Sequence, residues 1–179
     1  TDIKSSLSWD ATVGSFDTKS FEGFADVVTD EGGWQISGKL FQESGWEFKA
    51  IDSTGNSGQF DSSEKNGSLV VAGKHNGFSV NAHYLKGRQH FWGSTSSWGG
   101  QPPSDERYVI SKRAMIDIGY KIELAQQEYM DTNLSFTRNR FSHYNYDSYS
   151  NNTFAELTYH NDQGSGRWLI GATLWHQQA

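Results

Sequence analysis

Strict alternation of apolar and polar residues recurs along this chain. Trp34-Gln35-Ile36-Ser37-Gly38-Lys39-Leu40 places Trp, Ile, Gly and Leu on one side and Gln, Ser and Lys on the other. Phe78-Ser79-Val80-Asn81-Ala82-His83-Tyr84 and Thr153-Phe154-Ala155-Glu156-Leu157-Thr158-Tyr159 follow the same rule. Side chains of a strand point alternately to opposite faces, so a period of two predicts a sheet with one apolar and one polar face. Nine strands are predicted, over 5–15, 18–29, 33–48, 66–74, 77–90, 107–121, 128–141, 152–161 and 166–177. Between Ile122 and Glu128 a short helix competes with a turn, and the alternation resumed by Leu134 and Phe136 favours the turn. The period also predicts faces. Ile36, Leu40, Val80, Tyr84, Leu134, Phe136, Leu157 and Tyr159 fall on the apolar one, and Gln35, Lys39, Asn81, His83, Asn133 and Ser135 on the polar one.

The connections add a second rhythm. Asp30-Glu31-Gly32-Gly33, Lys74-His75-Asn76-Gly77 and Asn161 to Gly166 read as tight turns, because glycine supplies positive φ. They alternate with polar excursions at 49–65, 91–106 and 142–151. The first hairpin, through Gly14-Ser15-Phe16-Asp17-Thr18, is short where a long loop is due. Several predicted strands reach the ~9–11 residues that cross a bilayer at a tilt. Short turns at one end and long loops at the other are the asymmetry of outer-membrane barrels.

Composition changes the picture in the same direction. Of 179 residues only 35% are hydrophobic, yet 15% are aromatic, with 7 Trp, 8 Tyr and 11 Phe. Few aliphatics and many aromatics suit a barrel with a polar lumen, polar loops and aromatic girdles. The mean hydropathy of -0.71 does not oppose this, since alternation cancels in any window. No apolar run is long enough for a transmembrane helix. A net charge of -6 offers no basic face for nucleic acid. The absence of cysteine excludes thiolate metal sites, catalytic thiols and disulfides. The expectation is therefore an all-β protein: an antiparallel transmembrane β-barrel with about eight or nine meander strands over 1–179, as one barrel domain or segment.

Val13-Gly14-Ser15-Phe16-Asp17-Thr18-Lys19, the strand after it, and Gly32-Gly33-Trp34 through Ser44-Gly45-Trp46 resemble the first barrel strands of TonB-dependent outer-membrane receptors. Asp131 to Asn139, Tyr159 and Trp168-Leu169-Ile170-Gly171-Ala172 share the texture of that family's strands. The resemblance implies a receptor in the bacterial outer membrane that imports a scarce nutrient: a siderophore, haem, cobalamin or glycan. Its partners would be outer-membrane lipid, a small-molecule or glycan ligand, and the remaining barrel and plug segments. Such barrels have about 22 strands closed around a plug. This chain shows no plug-like stretch and ends Gln177-Gln178-Ala179 without a terminal aromatic, so part of a larger barrel is expected. An odd strand count points the same way, because single-chain bacterial barrels have even counts. The alternatives are a complete eight-stranded outer-membrane barrel with a binding or structural role, and a soluble carbohydrate-binding barrel or sandwich. Whether the chain needs detergent separates them.

No catalytic constellation is present, so no enzyme and no cofactor are expected. The 6 histidines form no His-Glu-x-x-His pair, and His83 and His90 fall on opposite faces. The carboxylates Glu22, Asp26, Asp61, Glu64, Asp105 and Glu106 read as solvated lumen and loop charges. The 52–59 run lacks the ordered acidic spacing and closing Glu of a calcium loop. Ligand binding is expected of loop aromatics instead: Phe91, Trp92 and Trp98 on a Gly/Ser-rich arm, with His143, Tyr144 and Tyr146, and Tyr149 beyond them. Such rings stack on sugars or planar ligands, and equally anchor barrels at headgroup depth.

Overall fold

The computed structural model describes residues 4–51, 55, 57–90, 108–143, 146–162 and 166–179. It contains eleven strands and, among the described residues, no helix. They are β1 (Lys4–Val13), β2 (Lys19–Thr29), β3 (Gly32–Glu43), β4 (Glu47–Ile51), β5 (Ser57–Asp61), β6 (Glu64–His75), β7 (Phe78–His90), β8 (Tyr108–Ala125), β9 (Glu128–His143), β10 (Tyr146–Asn161) and β11 (Trp168–Gln178). Nine form one antiparallel meander, β1-β2-β3-β6-β7-β8-β9-β10-β11, and β4-β5 is a separate hairpin. All nine predicted strands are present, and the 122–128 segment is β8, a turn at 126–127 and the start of β9.

Three expectations are corrected. The strand expected over 33–48 breaks after Glu43 and resumes as β4. Gly45 makes the break: at φ 67° its Cβ position would lie 2.7 Å from the Ser62 carbonyl oxygen, so only glycine fits. The polar excursion at 49–65 carries the hairpin β4-β5. Within the excursion expected over 142–151, residues 142–143 and 146–151 are strand: β9 and β10 stay paired up to Tyr146 opposite His143. Polar residues there signalled a loop, but they belong to a ladder that continues beyond the apolar rows.

Register fixes the faces. One row of directly opposed residues runs Leu7, Ala25, Ile36, Val71, Ala82, Ile116, Phe136 across seven strands. The next runs Ser6, Asp26, Gln35, Ala72, Asn81, Asp117, Ser135 on the opposite face. Opposed residues share a face, so every face assignment made from the alternation holds in the register.

No residue whose side chain is described is buried. In the middle of β9 the order of a soluble sheet is inverted: Leu134 is 51% and Phe136 40% exposed, while Ser135, Thr137 and Asn139 are half-buried. The same order holds in the middle of β8, whereas on β2 the polar-face Glu22, Phe24 and Val28 are exposed. Leu7, Leu40, Ile170 and Leu174 are likewise exposed. Inter-strand packing is essentially that between hydrogen-bonded neighbours, so among the described residues no second layer covers the apolar face.

Two glycine arrangements shape that face. Trp34 lies opposite Gly73, and its ring occupies the space a Cβ at 73 would need. A ring laid over a bare backbone restores the contact that glycine lacks. Gly23 lies opposite Gly38, leaving a trough of about 460 Å³ lined by Trp9, Phe21, Leu40 and Leu69.

The two-residue connections β2-β3, β6-β7 and β8-β9 lie at one end with the 162–167 link. At the β6-β7 turn Asn76 (φ 46°) and Gly77 (φ 82°) both have positive φ, the requirement of a tight hairpin matching strand twist. The opposite end carries 14–18, 44–63 and 91–107. There the 14–18 turn and the β3-β4 break hold each other: Ser44 N–H donates to the Phe16 carbonyl at 2.9 Å, and Phe16 stacks on Trp46 at 4.7 Å. The sheet does not close, since β1 pairs only with β2 and β11 only with β10.

Candidate functional site

The polar face is built from alternate residues of every strand. One row runs Asp10, Glu22, Lys39, Ser68, Leu85, Arg113, Asn139, Ser150. Lys39 Nζ lies 3.3 Å from Glu22, and Asn139 donates to Ser150 Oγ at 3.4 Å. A recess of about 360 Å³ opens here, lined by Ser8, Asp10, Glu22, Ser37, Lys39 and Ser68. Further along the sheet Asp117 accepts from Ser135 at 2.6 Å and from Asn133 at 3.3 Å. Nearer the short turns His160 Nε2 lies 3.1 Å from Asp131 and its ring stacks on Tyr129 at 4.3 Å. Lys121 Nζ sits 4.1 Å from the centre of the Tyr129 ring. Hydroxyls, amides and mixed charges make a polar wall that presents hydrogen bonds in both senses. Among the described residues no group of three or more His, Asp or Glu side chains could hold a metal ion.

The long-loop rim gathers part of the predicted binding set. His143 and Tyr146 are direct cross-strand partners, and His143 is also opposite Val109 at the root of the 91–107 connection. The rim row reads Glu43, Glu64, Gln89, Val109, His143, Tyr146. Phe91, Trp92, Trp98 and Tyr144 lie outside the described residues. Tyr149 is three residues from Tyr146 and therefore on the other face, opposite Arg140. It cannot join Tyr146 around one ligand on the polar side.

Sequence reasoning missed a neighbouring recess of about 310 Å³, lined by Glu43, Glu47, Glu64, Lys65, Arg88 and Tyr108 among others. The Arg88 guanidinium lies 3.5 Å from the centre of the Tyr108 ring, a cation–π contact that fixes a long side chain at the rim. These residues sit at the ends of five strands, and no local motif joins them. Only the register brings them together.

No protein-family model, no curated protein and no solved structure matches the chain.

Proposed function

We propose that this chain is a barrel segment of a bacterial outer-membrane receptor that captures a scarce nutrient, such as a siderophore, haem, cobalamin or glycan, at its long-loop rim for import. The observation that carries the reading is the exposed apolar face: no second layer covers it among the described residues, and in the middle of β8 and β9 it is the more exposed of the two faces. In water such a surface would far exceed the apolar patches that soluble monomers expose. In a bilayer it is the ordinary lipid-facing surface.

The dimensions support it. On β8 the apolar-face run from Ala114 to Leu124 is about 37 Å of extended chain at ~3.4 Å per residue. At the ~45° tilt of a spanning strand it covers about 26 Å, against ~25 Å for the apolar belt of an outer-membrane barrel. Trp34, Tyr120 and Trp168 stand exposed toward its short-turn edge, and Tyr84 and Tyr149 toward the other, the placing of aromatic girdles. The free edges of β1 and β11 suit a segment continued by further strands, because lipid cannot satisfy open edges. Ligand capture is assigned to the 91–107 arm together with His143 and Tyr146, and energy-coupled release of a plug would follow.

The test is the double variant Trp92→Ala/Trp98→Ala in the whole native receptor. Nutrient binding or uptake is expected to weaken while heat-modifiable migration on gels stays intact. Unchanged binding would reduce both tryptophans to interface anchors.

A further inference from the structure

Just beyond the apolar run, on the same face, the register sets like charges against each other. Lys86 is directly opposite Lys112, and Lys112 directly opposite Arg140. Arg138 lies two residues from Arg140 on the same face of β9, in the row of Ala114 and Tyr84. Neighbouring strands are about 4.8 Å apart, so four cations share a patch roughly 10 Å across. Like charges directly opposed destabilise a sheet. The one carboxylate described at the patch is Asp147, whose side chain holds Arg140 at 2.6 Å and 3.1 Å; among the described residues no ion pair engages Lys86, Lys112 or Arg138. The whole chain carries a net charge of -6, so this concentration runs against its composition. On the same face near the short turns, β6 to β9 present Glu128 and His75 and neither Lys nor Arg.

We propose that Lys86, Lys112, Arg138 and Arg140 form a docking site for the phosphate groups of a membrane lipid headgroup at the long-loop edge of the apolar belt, an inference that rests on the membrane reading above. A phosphate between opposed cations turns repulsion into charge-assisted hydrogen bonds. Lipid is the fitting source, because the patch continues directly into the exposed rings of Tyr84 and Phe136 on the apolar face and lies on the side away from the polar wall. The bare opposite end makes the site selective for one leaflet.

The whole native protein in neutral detergent is titrated, under native mass spectrometry, with lipid A (a phosphorylated glycolipid), with dephosphorylated lipid A, and with inorganic phosphate. The wild type is expected to hold lipid A and to bind the dephosphorylated form at least about tenfold more weakly. Lys86→Ala/Lys112→Ala/Arg138→Ala should lose at least about tenfold in lipid A affinity, while Lys39→Ala on the polar face should not. Equal binding of the two lipids, or an unaltered triple variant, overturns the site. Saturation by inorganic phosphate that displaces lipid A at similar concentration overturns the lipid source. Partition of the protein into the aqueous phase of a detergent separation removes the membrane reading, and the site with it. Heat-modifiable migration of each variant shows that its fold is retained.

Discussion

At the scale of single residues the decisive pair is Leu134 and Ser135, adjacent in sequence and opposite in environment. Leu134→Arg should lower stability in lipid vesicles by about 2–4 kcal/mol, the cost of Arg at the midplane of a lipid-facing strand. Ser135→Arg, into the polar wall, should cost far less. Denaturant unfolding in vesicles measures both, and equal costs would contradict the assignment of faces. Asp162 offers a second test. The Arg167 fork grips its carboxyl at 2.6 Å and 3.1 Å, and this hydrogen bonding holds its pKa below the ordinary carboxylate value of 3.8. A depressed pKa contributes stability that is present above the ordinary value and lost as pH falls through the folded one. NMR titration of the Asp162 side chain should therefore give a midpoint below 3.8, and Arg167→Gln should raise it toward that value. A midpoint unmoved by the substitution would show that the fork does not persist in solution.

At the scale of elements the break between β3 and β4 depends on Gly45. Gly45→Ala would force an L side chain into left-handed backbone, at about 1–2 kcal/mol, and against the backbone of Ser62. The 44–63 arm should then lose the hydrogen bonds joining Trp46 and Ser62 and become more susceptible to protease, while β1-β2 and β8-β9 keep their hydrogen-exchange protection. Unchanged cleavage would mean that the Phe16–Trp46 stack alone holds the arm. The central strands were legible from the alternation. The outer part of the β9-β10 pair was not, because polar residues on both faces carry no period, and backbone pairing beyond the belt needs none.

At the scale of the molecule the sheet is open, with β1 and β11 as its two edges. Ser8→Cys on β1 with Thr173→Cys on β11 should remain two free thiols under oxidation, since those strands do not pair. Thr158→Cys with Gly171→Cys, which are opposed across β10 and β11, should cross-link, because disulfides require Cα atoms within about 7 Å. Rapid formation of the first bond would show a closed nine-stranded cylinder and remove the need for further strands.

The sequence alone determined the all-β antiparallel class, the approximate course of the strands in the main sheet and the two faces. All of these follow from the fixed two-residue period of a strand, which is written locally in the chain. Tertiary structure decided what depends on pairing between distant segments. It joined His143 to Tyr146 and to the root of the 91–107 arm, and turned Tyr149 to the other side. It assembled Arg88 and Tyr108 with carboxylates from other strands, and lined up Lys86, Lys112 and Arg140. Each of these neighbours is far away along the chain, and only the hydrogen-bond register of the sheet places them side by side.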